Sequence, residues 1–150
     1  MSDTLLVHVD ASPRSAVRLQ IARQLGQALN AQVVALYAVI SALSRYPMAM
    51  AAGADMGPLL IEVDEQRLAA AKALFAQTVP EGDVAWRRGF EQPVRDLVRH
   101  AFYADLLVLG RLDGGLGHDH VFLVAGHLGL RLDDVDGRHG ADLDARAVVA

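Results

Sequence analysis

The chain has 150 residues, 53% of them apolar and 21% charged, a composition that fits one folded domain and excludes disorder as its main state. It contains no cysteine, so disulfides, thiolate metal sites and thiol catalysis are excluded together. A formal charge of −4 argues against a general electrostatic binder of nucleic acid.

The N-terminal stretch MSDTLLVHVD has an Asp at position 3 and no basic region ahead of its apolar residues, unlike a secretory signal. The longest apolar run, Val33–Ile40, is far short of the roughly 20 residues a membrane-spanning helix needs. The expectation is a cytoplasmic protein with no membrane partner.

Leu5–Val9 reads as a buried strand ending at Asp10. Ser12-Pro13 then offers a capping oxygen and a proline for a first helical turn. Val17, Ile21, Ala22, Leu25, Ala28 and Leu29 recur at spacings of three and four, which predicts an amphipathic helix closed by Asn30. Val33–Val39 is a second apolar strand, and strand, helix, strand is a parallel unit with a right-handed crossover. Residues 41–57, with Pro47 and Gly53, read as a connection. A second helix is predicted from Pro58 to Gln77 with Leu60, Val63, Ala71, Leu74 and Phe75 inward. Asp83–Arg88, containing Trp86, is a third strand, followed by a turn at Gly89. Gln92-Pro93 opens a third helix whose Val94, Leu97, Val98, Ala101 and Phe102 form the clearest helical stripe in the chain. Leu106–Leu109 is an apolar strand ending at Gly110.

Alternating strands and helices up to residue 110 specify an α/β domain with a parallel sheet. Such sheets bind ligands at the carboxyl ends of their strands, near the point where strand order reverses. That rule singles out Asp10, the end of the second strand at Ala38 and Val39, and the loop from Gly110. Asp10 has two readings, a ligand-binding carboxylate or a turn residue satisfying nearby N–H groups. A dehalogenase-type nucleophile would want a second Asp two positions on, where Ser12 stands. A phosphate loop of the G-x-x-x-x-G-K-[ST] type is excluded because the one lysine is Lys72, inside the second predicted helix. No G-x-S-x-G nucleophile elbow occurs.

The stretch VHVDASPRSAVRLQIARQLGQALNAQVVALYAV resembles the opening of universal stress protein domains, and WRRGFEQPVRDLVRHAFYADLLVLG resembles their later half. The match covers residues 4–111. The resemblance implies a single-domain, flavodoxin-like fold of the adenine-nucleotide alpha-hydrolase-like kind, a parallel sheet of four to five strands flanked by helices. It implies a non-catalytic stress-response or signalling module with at most weak nucleotide hydrolysis, assembled as a homodimer through a sheet edge. Some members bind ATP or AMP and others do not. In binders, the Asp after the first strand, backbone at the end of the second and a glycine-rich loop after the fourth hold the nucleotide. By position these fall on Asp10, Ala38, Gly110 and the nearby Gly114. Backbone N–H groups can cradle phosphates without a lysine. No metal is expected beyond Mg accompanying the nucleotide. The alternative is a dimerisation or interaction protein on the same fold that binds no nucleotide.

The loop departs from the binding pattern, G-x-x-G, nine residues, then G-[ST]. Counted from Gly110, the second glycine is Asp113 and the closing pair is Leu123 and Val124. Gly114, Gly115 and Gly117 are out of register, and no Ser or Thr follows Thr78.

The composition breaks at the same place. Residues 1–116 carry 12 acidic and 11 basic side chains, whereas residues 117–150 carry six Asp, three Arg and four of the six histidines. Residues 1–116 are thus the family-like α/β core and 117–150 an atypical C-terminal segment of the same domain. Natural divergence or a shifted reading frame would each give such a tail, and translating the gene in all frames separates them. Val121–Ala125 could begin a helix that Gly126 and Gly129 would weaken by about 1 kcal/mol each relative to Ala. Leu128, Leu130 and Leu132 alternate as a strand does. His118, His120, His127 and His139 match no framed metal motif, so a solvated polar loop is the expectation. With Gly137 at the sixth position of a calcium loop, the first and twelfth positions would be Leu132 and Leu143, which fails as an EF-hand.

Overall fold

A computed structural model describes residues 3–47, 56–90, 92–110, 120–125 and 131–136, the last two stretches as backbone. In chain order the elements are β1 (Thr4–Val9), α1 (Arg14–Leu29), β2 (Gln32–Tyr37), α2 (Ala42–Arg45), α3 (Gly57–Thr78), β3 (Val84–Arg88), α4 (Pro93–Ala101), β4 (Leu106–Gly110), β5 (His120–Ala125) and β6 (Arg131–Asp136). The strands form one sheet in the order β3-β2-β1-β4-β5-β6.

β1 pairs in parallel with β2, from Thr4 opposite Gln32 to Val9 opposite Tyr37, and with β4 on its other side. β3 pairs in parallel with β2. These four strands are the expected parallel sheet. Right-handed crossovers from β1 to β2 to β3 put α1 and α3 on one face, and the return from β3 to β4 puts α4 on the other.

Strand period two divides the core accordingly. Leu5, Val7 and Val9 of β1 pack with Val33, Ala35, Tyr37 and Val108 under α1 and α3, while Leu6, Leu36 and Ala38 pack with Leu97, Ala101 and Ala104 beneath α4. Trp86 of β3 closes the first layer, 6.0 Å from the Tyr37 ring and edge-on to Phe75 at 5.0 Å.

Several local expectations change. The buried stripe of α1 is Ser15, Arg18, Leu19, Ala22 and Gly26, whereas Val17 and Leu29 are exposed. Ala22 of the predicted stripe is buried and Ile21 and Leu25 pack against the core, so the helix keeps part of that stripe inward and adds Ser15, Arg18, Leu19 and Gly26 to it. A Cβ on Gly26 would run into Val33 Cγ2, so the absence of a side chain there makes room for Val33. Asn30 does end the helix, in the left-handed conformation at φ 52°. Within the expected connection lies the one-turn helix α2, where Ser41 Oγ accepts from the Ser44 N–H at 3.1 Å. The Asp64 carboxylate of α3 accepts the Ala42 N–H at 2.9 and 3.0 Å and fixes that turn on α3. Gly53 lies outside the described residues.

Val121–Ala125 is a strand and not a helix: β5 runs antiparallel to β4, with Gly110 opposite Val121, and β6 runs antiparallel to β5. The run His-Val-Phe-Leu-Val-Ala is rich in β-branched and aromatic residues, and an antiparallel neighbour needs no helical crossover.

Candidate functional site

Strand order reverses between β1 and β4, so this is where an open parallel sheet leaves a crevice. Asp10 directly follows β1, Ala38 directly follows β2 and Gly110 ends β4, all at the carboxyl end of adjacent strands. Gly114 lies outside the described residues, as do Asp113 and His118.

Asp10 is bound into the turn that leads into α1. Its Oδ1 accepts from the Ser12 N–H at 2.9 Å, the Ser12 hydroxyl at 2.5 Å and the Ser15 hydroxyl at 2.8 Å. The Asp10 N–H in turn donates to Ser15 Oγ at 2.9 Å. Ser12 therefore serves Asp10 and does not cap the helix, whose N-cap position is Pro13 with no side-chain bond. The turn-residue reading of Asp10 is what the geometry displays.

Arg18 enters from the buried side of α1, its side chain only 5% exposed. Nε donates to the His8 carbonyl at 2.9 Å and Nη2 to Ser15 Oγ at 2.7 Å, with Asp10 Oδ2 3.1 Å from Nη2. Nη1 lies against Gly110, where any Cβ would collide with it. The missing side chain of Gly110 is what lets a guanidinium sit in the crevice between β1 and β4.

His8 joins the third strand end to this network. Its Nε2 is 2.8 Å from the Ala38 carbonyl, and since a carbonyl only accepts, Nε2 carries the proton. Ala38, His8, Arg18, Asp10 and Gly110 form one connected set across β2, β1 and β4.

The electrostatics follow from the same contacts. Burial would raise the Asp10 carboxyl, but the Ser12 hydroxyl, the Arg18 charge, the Ser12 N–H and Ser15 together hold it below 3.8, so it is ionised at neutral pH. Burial chiefly, with help from Arg18, pushes His8 below 6.5 against its bond to Ala38 and the charge of Asp10. His8 is thus a neutral donor. Burial, then Asp64, raises the Tyr37 hydroxyl above 10.0.

Chemically the site can accept hydrogen bonds at an ionised carboxylate and holds one buried cation beside it. Asp10 Oδ1 already accepts three bonds within the protein, and His8 holds its Nε2 proton on the Ala38 carbonyl. Among the described residues no group of three or more His, Asp or Glu is placed to hold a metal ion. At the opposite end of the strands, where α1 ends and β2 and β3 begin, a cavity of about 370 Å³ is lined by Arg23, Gln27, Asn30, Gln32 and Asp83. The Arg23–Asp83 ion pair at 2.6 Å spans it.

Asp10, Ala38 and Gly110 were legible from strand ends, whereas Arg18, His8 and Ser15 were not. One signal for Arg18 did exist: an arginine three residues after Ser15 and four before Ala22 stands on the small-residue stripe of its helix.

The family model of the universal stress proteins matches residues 1–122. A solved structure similar to the chain is the crystal structure of a universal stress protein in complex with cAMP, with 27% identity, a TM-score of 0.40, and coverage of 70% of this chain and 69% of that one. No curated protein matches the chain. None of the described helices is long and apolar enough to cross a membrane. With four-fifths of its length matched and the β-α-β order of its parallel sheet in place, the chain belongs to the universal stress protein family.

Proposed function

We propose that this stress-response family member acts as a non-catalytic cytoplasmic signalling module with an adenine-nucleotide pocket, for ATP or AMP, at the β1/β4 switch point. The observation that carries the reading is the convergence of Asp10, Ala38 and Gly110 on the carboxyl ends of three adjacent strands, with the buried charge of Arg18 among them. Asp10 Oδ1 already accepts three bonds, while Oδ2 faces Arg18 and retains capacity for a ribose hydroxyl. Ala38 presents backbone for the base. Backbone around Gly110 and Gly114 would cradle phosphate, and Mg would arrive only with the nucleotide. The accompanying assembly is a homodimer paired through a sheet edge, the outer strands being β3 and β6.

A second reading, an interaction protein that binds no nucleotide, is favoured by the internal satisfaction of Asp10 and by Asp113, Leu123 and Val124 at the loop's glycine and hydroxyl positions. Calorimetric titration with ATP and AMP separates the two. Heat of binding that Asp10→Ala reduces supports the pocket. No heat at millimolar nucleotide overturns it.

A further inference from the structure

The cavity between the end of α1 and the beginnings of β2 and β3 lies at the opposite end of the sheet from Asp10, and nothing at the switch point uses it. Its volume of about 370 Å³ falls near the lower end of the roughly 300–1,000 Å³ of small-molecule sites. The lining is polar: Arg23 and Gln27 come from α1, Asn30 from its C-cap, Gln32 from β2 and Asp83 from the turn ahead of β3. Backbone at the helix end is already satisfied, since the Asn30 and Ala31 N–H groups donate to the Gln27 and Gly26 carbonyls at 3.4 and 2.8 Å. Side chains are therefore what the cavity offers a ligand.

One of those side chains has an unmet bond. Arg23 Nη2 donates to Asp83 Oδ2 at 2.6 Å, yet Arg23 Nε is buried and, among the described residues, has no hydrogen-bond partner. Native proteins satisfy nearly all such groups, through protein, water or a bound molecule. The Nε–H and the adjacent terminal N–H form one edge of the guanidinium fork, and Asp83 engages that group without reaching Nε.

We propose that this cavity binds a neutral polyhydroxyl compound of sugar size, one hydroxyl of which accepts from Arg23 Nε–H and donates to the Asp83 carboxylate. The closed ion pair decides the charge of the ligand. A carboxylate or phosphate brought to Nε would meet the Asp83 carboxylate, and an ammonium brought to Asp83 would meet the guanidinium. A hydroxyl suits both neighbours, because one oxygen donates and accepts. Gln27, Asn30 and Gln32 add primary amides, which also donate and accept and carry no charge. Adjacent hydroxyls on a ring or chain match groups of that kind. Nε is closed to solvent, so binding includes a small outward shift of the Asp83 side chain, which is 44% exposed. This site is remote from Asp10 and Gly110, and it stands whether or not the switch point binds nucleotide.

The Nε–H of Arg23 has its own nitrogen–proton NMR signal, which reads the contact directly. The full chain is titrated with glucose as the neutral probe, and with sodium acetate and methylammonium chloride as the charged ones. Glucose should shift the Arg23 Nε–H signal and the backbone amides of Gln27, Asn30, Gln32 and Asp83 saturably, leaving the amides of Asp10 and Gly110 unmoved. Neither charged probe should saturate. Gln27→Ala, at an exposed helix position, should weaken glucose binding about three- to tenfold, the effect of one lost hydrogen bond. Arg23→Lys, which keeps the charge and removes Nε–H, should weaken it at least as much. No saturable shift at hundred-millimolar glucose, tighter binding of acetate or methylammonium than of glucose, or glucose affinity unchanged in both variants overturns the proposal.

Discussion

The Arg18 guanidinium lies where a side chain on Gly110 would have to be, so the last residue of β4 is glycine because a helix arginine fills the crevice beside it. Gly110 was singled out as the start of a phosphate loop. In the fold it also makes room for the cation that neutralises Asp10.

That relationship predicts a coupled pair. In Gly110→Ala the new methyl group displaces Nη1, and the displacement breaks the bonds of Arg18 to the His8 carbonyl, Ser15 and Asp10. The expected cost is about 1–3 kcal/mol, the range for overpacking a filled site. Arg18→Met should cost at least as much, since it leaves a three-quarters-buried carboxylate without its cation. The double variant should lose clearly less than the sum. Urea denaturation of the four proteins measures the coupling, and strict additivity would show that the two residues do not meet.

Acid sensitivity follows from His8. Its pKa falls on folding, so between the folded value and 6.5 the unfolded chain binds more protons and stability rises with pH. Stability should therefore decline as pH is lowered from about 6.5, before Asp10 contributes. Asp10, held low in the fold, adds stability above its unfolded pKa that is lost only as pH falls further, through its folded value. His8→Asn, which can still donate to a carbonyl, should flatten the Tm decline between pH 7 and pH 5. An equally steep decline in that variant would assign the effect elsewhere.

Gly26 sets two known effects in opposition. Alanine in a helix interior gains roughly 1 kcal/mol over glycine by propensity alone. Here the Cβ would press into Val33 Cγ2, and Val33 is β-branched, held in β2 and 5% exposed, so it cannot yield cheaply. Gly26→Ala should lower Tm, and adding Val33→Ala should recover part of the loss relative to Val33→Ala alone. A raised Tm in the single variant would mean that α1 stands further from the sheet.

The parallel core was readable because β1, β2 and β4 are short apolar runs and the helices between them keep a helical period. What failed to show was which side of a helix faces in. In α1 the predicted stripe reaches the core through Ala22 and the partly buried Ile21 and Leu25, but Val17 and Leu29 stay exposed while Ser15, Arg18, Leu19 and Gly26, which the apolar pattern did not mark, are buried against the sheet. In α4 the stripe was correct as a period, but only Leu97 and Ala101 found the core. Strand ends gave away Asp10, Ala38 and Gly110, whereas Arg18 reaches the site along a side chain from the next helix, signalled only by its spacing from Ser15 and Ala22 on the buried stripe of α1. Past Gly110 the family match ends at residue 122, within β5, close to the compositional break at residue 117.

The most direct measurement is calorimetric titration of the purified full chain with ATP and AMP, repeated on Asp10→Ala and on Arg23→Ala, whose side chain lies at the far end of the strands. A pocket at the β1/β4 switch point predicts saturable heat with the native chain and with Arg23→Ala, and affinity weakened about tenfold or more in Asp10→Ala, the roughly 1.4 kcal/mol of a charge-assisted hydrogen bond. No heat at millimolar nucleotide, or binding that Asp10→Ala leaves intact, would contradict it.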